Sequence, residues 1–146
     1  MNISVKSNTN VEAMMKRLGE DVAGGLIAGT TTVLETADAL ISPEVPVKTS
    51  NLVNSGTIEI SPDGRKGVLR WLADYGRYVV EGTGLFGPFK RKIVPKNAKA
   101  LKTPWGPRKS IKGQEPNDFI TRGVEKLNPP EAFEEGMGRY LKKKGW

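Results

Sequence analysis

At 146 residues the chain is sized for one domain, and folding at this length buries roughly 70% of the unfolded surface, enough for a modest core without covalent staples. The absence of cysteine excludes disulfides, thiolate nucleophiles and thiolate-bound metals and suits a reducing compartment, while the absence of histidine removes the commonest general base, the usual zinc ligand and the physiological pH switch. The net charge of +7 is unevenly placed: residues 1–64 carry 4 basic and 8 acidic side chains, residues 65–112 carry 13 and 2, and residues 113–146 carry 6 of each. The strongly positive middle third is suited to an acidic protein surface or to nucleic-acid phosphates. Residues 1–8 lack the basic-then-apolar pattern of a signal peptide, and the uncharged run Val22–Leu34 spans 13 residues where a membrane helix needs about 20. A soluble chain without a cleaved leader is the expectation, with no metal, no cofactor and no enzymatic activity.

The first predicted element is a helix opening at Thr9, where Thr9-Asn10-Val11-Glu12 has the form of a capping box. Apolar residues then recur at Val11, Met14, Met15, Leu18, Val22, Leu26, Val33, Ala37, Leu40 and Ile41, close to a 3.6-residue period, until Pro43 stops it. That is about 33 residues, or nearly 50 Å. Gly19, Gly24, Gly25 and Gly29 each weaken this helix by about 1 kcal/mol relative to alanine, so packing must hold it. They mark either a kink near Gly24-Gly25 or a close helix–helix contact, within the subunit or between subunits.

A strand is expected over Leu52–Ile60, burying Leu52, Ile58 and Ile60, followed by a turn at Ser61-Pro62-Asp63-Gly64. A second strand returns over Lys66–Leu72, apolar on both faces as in a covered strand. Asp74–Glu81 reads as a short helix with Tyr75, Tyr78 and Val79 on one face. From Gly84 to Gly113 no regular period survives among glycines, prolines, lysines and arginines, a length unusual for a loop unless it is functional, mobile or partly paired. Ile93-Val94 and Ala100-Leu101 are candidates to pair with the hairpin, and at least one is expected to. Asn117 or Asp118 then caps a helix with Phe119, Ile120, Val124 and Leu127 inward. A last helix starts at Pro129-Pro130, with the stripe Phe133, Met137, Tyr140 and Leu141 and a basic end at Lys142–Lys144. The fold class is α+β: a long N-terminal helix on a small antiparallel sheet, C-terminal helices and a long basic loop.

Three constellations invite chemistry. Gly82-Thr83-Gly84 lacks the following helix of a phosphate-binding loop, because Pro88 intervenes, and reads as a turn. Glu131, Glu134 and Glu135 share a helix face, which suits either an acid–base pair or, far more simply, a solvated helix start. The cations Lys90, Arg91, Lys92, Lys96, Lys99, Lys102, Arg108, Lys109 and Lys112 are interleaved with Phe86, Phe89 and Trp105. Such a set either stacks and neutralises single-stranded nucleic acid or anchors an arm in a neighbouring protein. The protein partner is favoured, with Phe86, Phe89, Lys90, Arg91, Lys92, Trp105 and Arg108 as the interface.

Two further stretches are Pro46-Val47-Lys48-Thr49-Ser50-Asn51-Leu52-Val53-Asn54-Ser55 and Tyr75-Gly76-Arg77-Tyr78-Val79-Val80-Glu81-Gly82-Thr83-Gly84. They are joined by Gly113-Gln114-Glu115-Pro116 before Phe119-Ile120. In this order they resemble the neck and tail-completion (head–tail joining) proteins of tailed phages, the minor tail component type of lambdoid siphophages. Pro46, Val47, Thr49, Leu52 and Ser55 match the family's first motif, whereas Lys48 and Ser50 replace its usual Asp and Gly. Tyr75, Tyr78, Val79, Glu81, Gly82, Thr83 and Gly84 match its second. The resemblance covers about residues 9–127 and implies a single head–tail joining domain over 1–146 with 84–113 as an extended basic arm. It also implies a homo-oligomeric ring in the virion, assembled in the host cytoplasm, that links connector or head-closure protein to tail proteins. DNA would pass through the ring without sequence-specific binding, and no membrane is involved. On this reading residues 84–113 are mobile in the free subunit and become ordered against a neighbour.

Overall fold

The structure, a computed structural model, describes residues 9–46 and 50–146. Helix α1 (Thr9–Ile41) leads into a 3-10 turn at Ser42–Glu44 and one helical turn, α2 (Asn51–Asn54). Strands β1 (Gly56–Ile60) and β2 (Gly67–Trp71) follow, then helices α3 (Gly76–Glu81), α4 (Phe119–Val124) and α5 (Pro129–Lys143). This is the α+β class that the patterning gives. Two compact units emerge: one contains the described residues through Ala39 with Ile58–Leu69 and Leu127–Trp146, the other Leu40–Thr57 and Arg70–Lys126.

In the first unit α1 is covered on two opposite sides. Gly25 and Gly29 meet Met137 and Phe133 of α5, and Gly24 meets Tyr140. At about 100° per residue the opposite face presents Ile27, Thr30 and Leu34. There Gly64 and Gly67 of the hairpin press against Ile27 and Leu34, and the Thr30 hydroxyl donates to the Gly64 carbonyl at 2.5 Å. Covering two sides leaves α1 a narrow solvent face, which suits the uncharged Val22–Leu34 run even though Val22 and Ile27 stay partly exposed. The contact is tight in both directions, since Gly136 of α5 lies against Ala28 and Thr32. The helix runs without a break through Gly24-Gly25, and these glycines serve a close helix–helix contact within the chain. Past the end of α5, Trp146 Nε1 donates to the buried Asp21 carboxylate at 2.8 Å, and Arg17 stacks on the Trp146 ring at 5.4 Å. The capping box at Thr9 rests on a side chain outside the described residues.

The second unit is built around Ile41, Val45, Leu52, Val79 and Phe119, all buried. The Trp71 ring meets Phe119 edge-on at 5.6 Å, and Gly123 allows α4 to approach Ile41. Asp118 caps α4 by accepting from the Thr121 backbone N–H and hydroxyl. Glu44 receives Arg122 at 3.1 Å and Lys126 at 2.5 Å.

Several expectations give way here. Residues 51–54 are helical where a strand was expected, because Asn and Ser favour local backbone bonds: Asn54 N–H donates to the Ser50 carbonyl and the Ser55 hydroxyl to the Leu52 carbonyl. Leu52 is still buried, at 1% exposure, but Ile58 is exposed. The bonds Ser61 N–H to Lys66 O and Leu72 N–H to Ser55 O fix one register through the hairpin. Along β2 covered and exposed residues alternate, with Val68 exposed, so this two-stranded antiparallel sheet is covered on one face only. Ile93 and Leu101 do not join the hairpin. They pair instead with Ile111 and Arg108 of their own segment. On α3 only Val79 of the expected face is buried, and Tyr78 is 60% exposed; on α4, Ile120 and Val124 face outward beside the buried Phe119. Residues 47–49 of the first motif lie outside the described residues.

Two tests follow from this packing. A methyl group at Gly136 would lie 2.7 Å from the Ala28 carbonyl oxygen, whereas Gly138 has open space. Gly136→Ala is expected to lose about 1–3 kcal/mol in urea unfolding through overpacking, and Gly138→Ala to gain up to about 1 kcal/mol from helix propensity. Hydrogen bonds from Lys126 and then Arg122 hold the Glu44 carboxyl below its ordinary value of 4.5, and those from Thr121 hold Asp118 below 3.8. A folded-state pKa below the unfolded one gives stability that is present above the unfolded value and is lost as pH falls through the folded one. Acid titration of unfolding should therefore show stability falling from about pH 4.5 downward, with a shallower fall in Glu44→Gln.

Candidate functional site

Residues 84–113, part of the second unit, form a lobe whose base is latched by hydrogen bonds. Thr83 N–H donates to the Gln114 carbonyl and Leu85 N–H to the Lys112 carbonyl, at 2.9 and 2.8 Å. Gln114 N–H returns to the Thr83 hydroxyl at 2.9 Å. The two backbones meet so closely that only glycine fits at Gly84 and Gly113, both at positive φ with carbonyls of the opposite strand against them. The Gly82-Thr83-Gly84 turn is therefore one half of this latch. Further out, Ile93 and Ile111 exchange backbone hydrogen bonds, as do Leu101 and Arg108. A tight turn at Thr103–Gly106, closed by the Thr103 hydroxyl on the Gly106 carbonyl, carries Trp105.

The lobe holds nine cations and no carboxylate. None of the nine forms an ion pair among the described residues. Phe89 and Trp105 are 79% and 78% exposed, and Lys90, Arg91, Lys92 and Arg108 are exposed as well. Phe86 is half-buried at the base. The seven residues named from sequence thus divide between places. Phe89, Arg91 and Lys92 line a groove of about 680 Å³ along α3, whereas Phe86, Trp105 and Arg108 lie outside it. The Arg91 guanidinium stacks over the Phe89 ring at 5.6 Å, and Lys90 holds the turn in a left-handed conformation.

Sequence reasoning missed the rest of this groove. Tyr78, Ile93, Val94 and Lys96 contribute, as does Arg77, whose bond to Glu81 at 2.9 Å raises its already high pKa. The available signal was Tyr78 beside Val79 on a six-residue helix: with Val79 inward, Tyr78 has to face the lobe side. A smaller recess of about 240 Å³ beside Trp71 and Phe119 also borders the Arg77–Glu81 pair. Among the described residues, no group of three or more His, Cys, Asp or Glu is placed to hold a metal ion, and no helix is long and apolar enough to cross a membrane. Glu131, Glu134 and Glu135 lie exposed on α5, with Glu135 paired to Arg139 at 3.0 Å.

The latch makes a direct test available. Gly113→Ala or Gly84→Ala places a methyl group against a backbone carbonyl at positive φ, a strain of about 1–3 kcal/mol. Each should open the lobe base and speed limited trypsin cleavage within residues 90–112. Gly106→Ala carries the backbone strain without a clash and should leave the base closed. Comparison of the chain with family models, with curated proteins and with solved structures gives no match.

Proposed function

We propose that this chain is a structural virion protein, a neck or tail-completion subunit that forms an oligomeric ring at the phage head–tail junction and links connector to tail around the DNA channel. The observation that carries the reading is the latched lobe: nine cations without a carboxylate, ending in an exposed tryptophan. Large exposed aromatics beside arginine are what interface hot spots are made of. An exposed, one-signed element of this kind suits assembly against a partner surface rather than turnover of a substrate. The motif resemblance supplies the setting, since Tyr75–Gly84 and Gly113–Pro116 are the two stretches that meet at the lobe base. On this reading the protein is not an enzyme, its partners are copies of itself and the neighbouring connector and tail proteins, and it resides in the virion.

A second reading is favoured by the same unpaired cations: an accessory protein that uses residues 84–113 to bind DNA. It makes a different demand on salt. The logarithm of its affinity would fall linearly with the logarithm of salt concentration, and removing Lys90, Arg91 and Lys92 would flatten that slope by about 0.9 per lost phosphate contact.

For the assembly reading, Trp105→Ala and Phe89→Ala should each weaken association by about 2 kcal/mol or more and impair ring or particle formation. The monomer should keep its circular dichroism and melting temperature, because both side chains are exposed. Normal particles from both variants would contradict the proposal.

A further inference from the structure

We infer that the groove along α3 receives the acidic N-terminal end of α5 from a second copy of this chain. The inference rests on the ring reading for the fact of self-association and adds the two surfaces that make the contact. The groove is lined by Phe89, Ile93 and Val94, with Arg91, Lys92 and Lys96 also on its wall. None of those three cations forms an ion pair among the described residues, and the one carboxylate in the groove lining, Glu81, is engaged by Arg77. Stacking of Arg91 on Phe89 holds its guanidinium plane, so its fork is ordered for a carboxylate before a partner arrives.

The matching surface is an apolar tip with an anionic collar. Helix α5 opens with Pro129-Pro130, both exposed, and continues into Glu131, Glu134 and Glu135 within its first two turns. Proline has no N–H to desolvate, so the tip enters an apolar groove at little polar cost. Glu135 is taken by Arg139 and Glu131 accepts from the Asn128 amide at 3.0 Å, whereas Glu134 has no ion-pair partner among the described residues. Elsewhere Glu44, Asp63 and Asp118 are committed to internal hydrogen bonds. Phosphates fit the groove less well, because three cations, unpaired among the described residues, border a largely apolar space of about 680 Å³ that a polyphosphate would leave unfilled. Groove and helix start are different surfaces, so the contact is head to tail and can close into a ring.

The test uses the full chain and two charge-reversed variants, Arg91→Glu with Lys92→Glu and Lys96→Glu, and Glu131→Lys with Glu134→Lys. All five positions are exposed, and circular dichroism checks that both variants fold. Sedimentation velocity over a concentration series should give self-association at least about tenfold weaker for each variant alone. It should be restored in the equimolar mixture, where opposite charges again face each other. If the wild type associates and the variants associate equally well, or the mixture fails to recover, the contact lies elsewhere and this inference falls while the ring reading stands. A wild type that stays monomeric throughout overturns this inference, and the ring reading then rests on assembly with connector or tail proteins. A single-stranded oligonucleotide is titrated in parallel. Loss of its binding in the groove variant with self-association intact would assign the groove to nucleic acid and overturn the inference.

Discussion

Nine like charges stay together in one short lobe because a backbone latch closes its base. Their mutual repulsion in water is modest for any pair and further screened by salt, but it is one-signed and grows with every cation added. Opposing it are the paired bonds at Thr83, Leu85, Lys112 and Gln114, with Gly84 and Gly113 allowing the strands to meet. Were the base open, the segment would be a charged linker that extends by self-repulsion. Closed, it presents Phe89 and Trp105 on a shaped element. The groove along α3 exists only because the first turn of the lobe folds back beside Tyr78 and Arg77.

Much of the architecture was legible because periodicity reports which faces are covered. The bounds of α1 follow from its apolar period and Pro43, the start of α5 from its two prolines, and the cap of α4 from Asp118. What periodicity cannot report is what covers a face. The small residues of α1 signalled a close approach, but not that α5 would fill one side and the hairpin turn the other. Leu52 was correctly marked as buried on the wrong element, since burial of one leucine is compatible with strand or helix. The decision fell to local hydrogen bonds of Ser50, Asn54 and Ser55 that no hydrophobic pattern records.

The candidate site was half legible for the same reason. Exposed cations and aromatics announce themselves by composition, so Phe89, Arg91, Lys92 and Trp105 were identified directly. Their division between a groove and a separate turn depends on pairings at Ile93–Ile111 and Leu101–Arg108 that have no turn signature between regular strands. The glycines at 84 and 113 carried the clue to the latch, although their 29-residue separation conceals that they face each other.

The central proposal is that this chain acts by fitting against copies of itself and neighbouring virion parts. Native mass measurement of the purified protein, alone and after mixing with connector or tail proteins, addresses it most directly. The account predicts a closed multi-copy assembly, formed alone or on those partners. A chain that remains a single subunit in every mixture would contradict it.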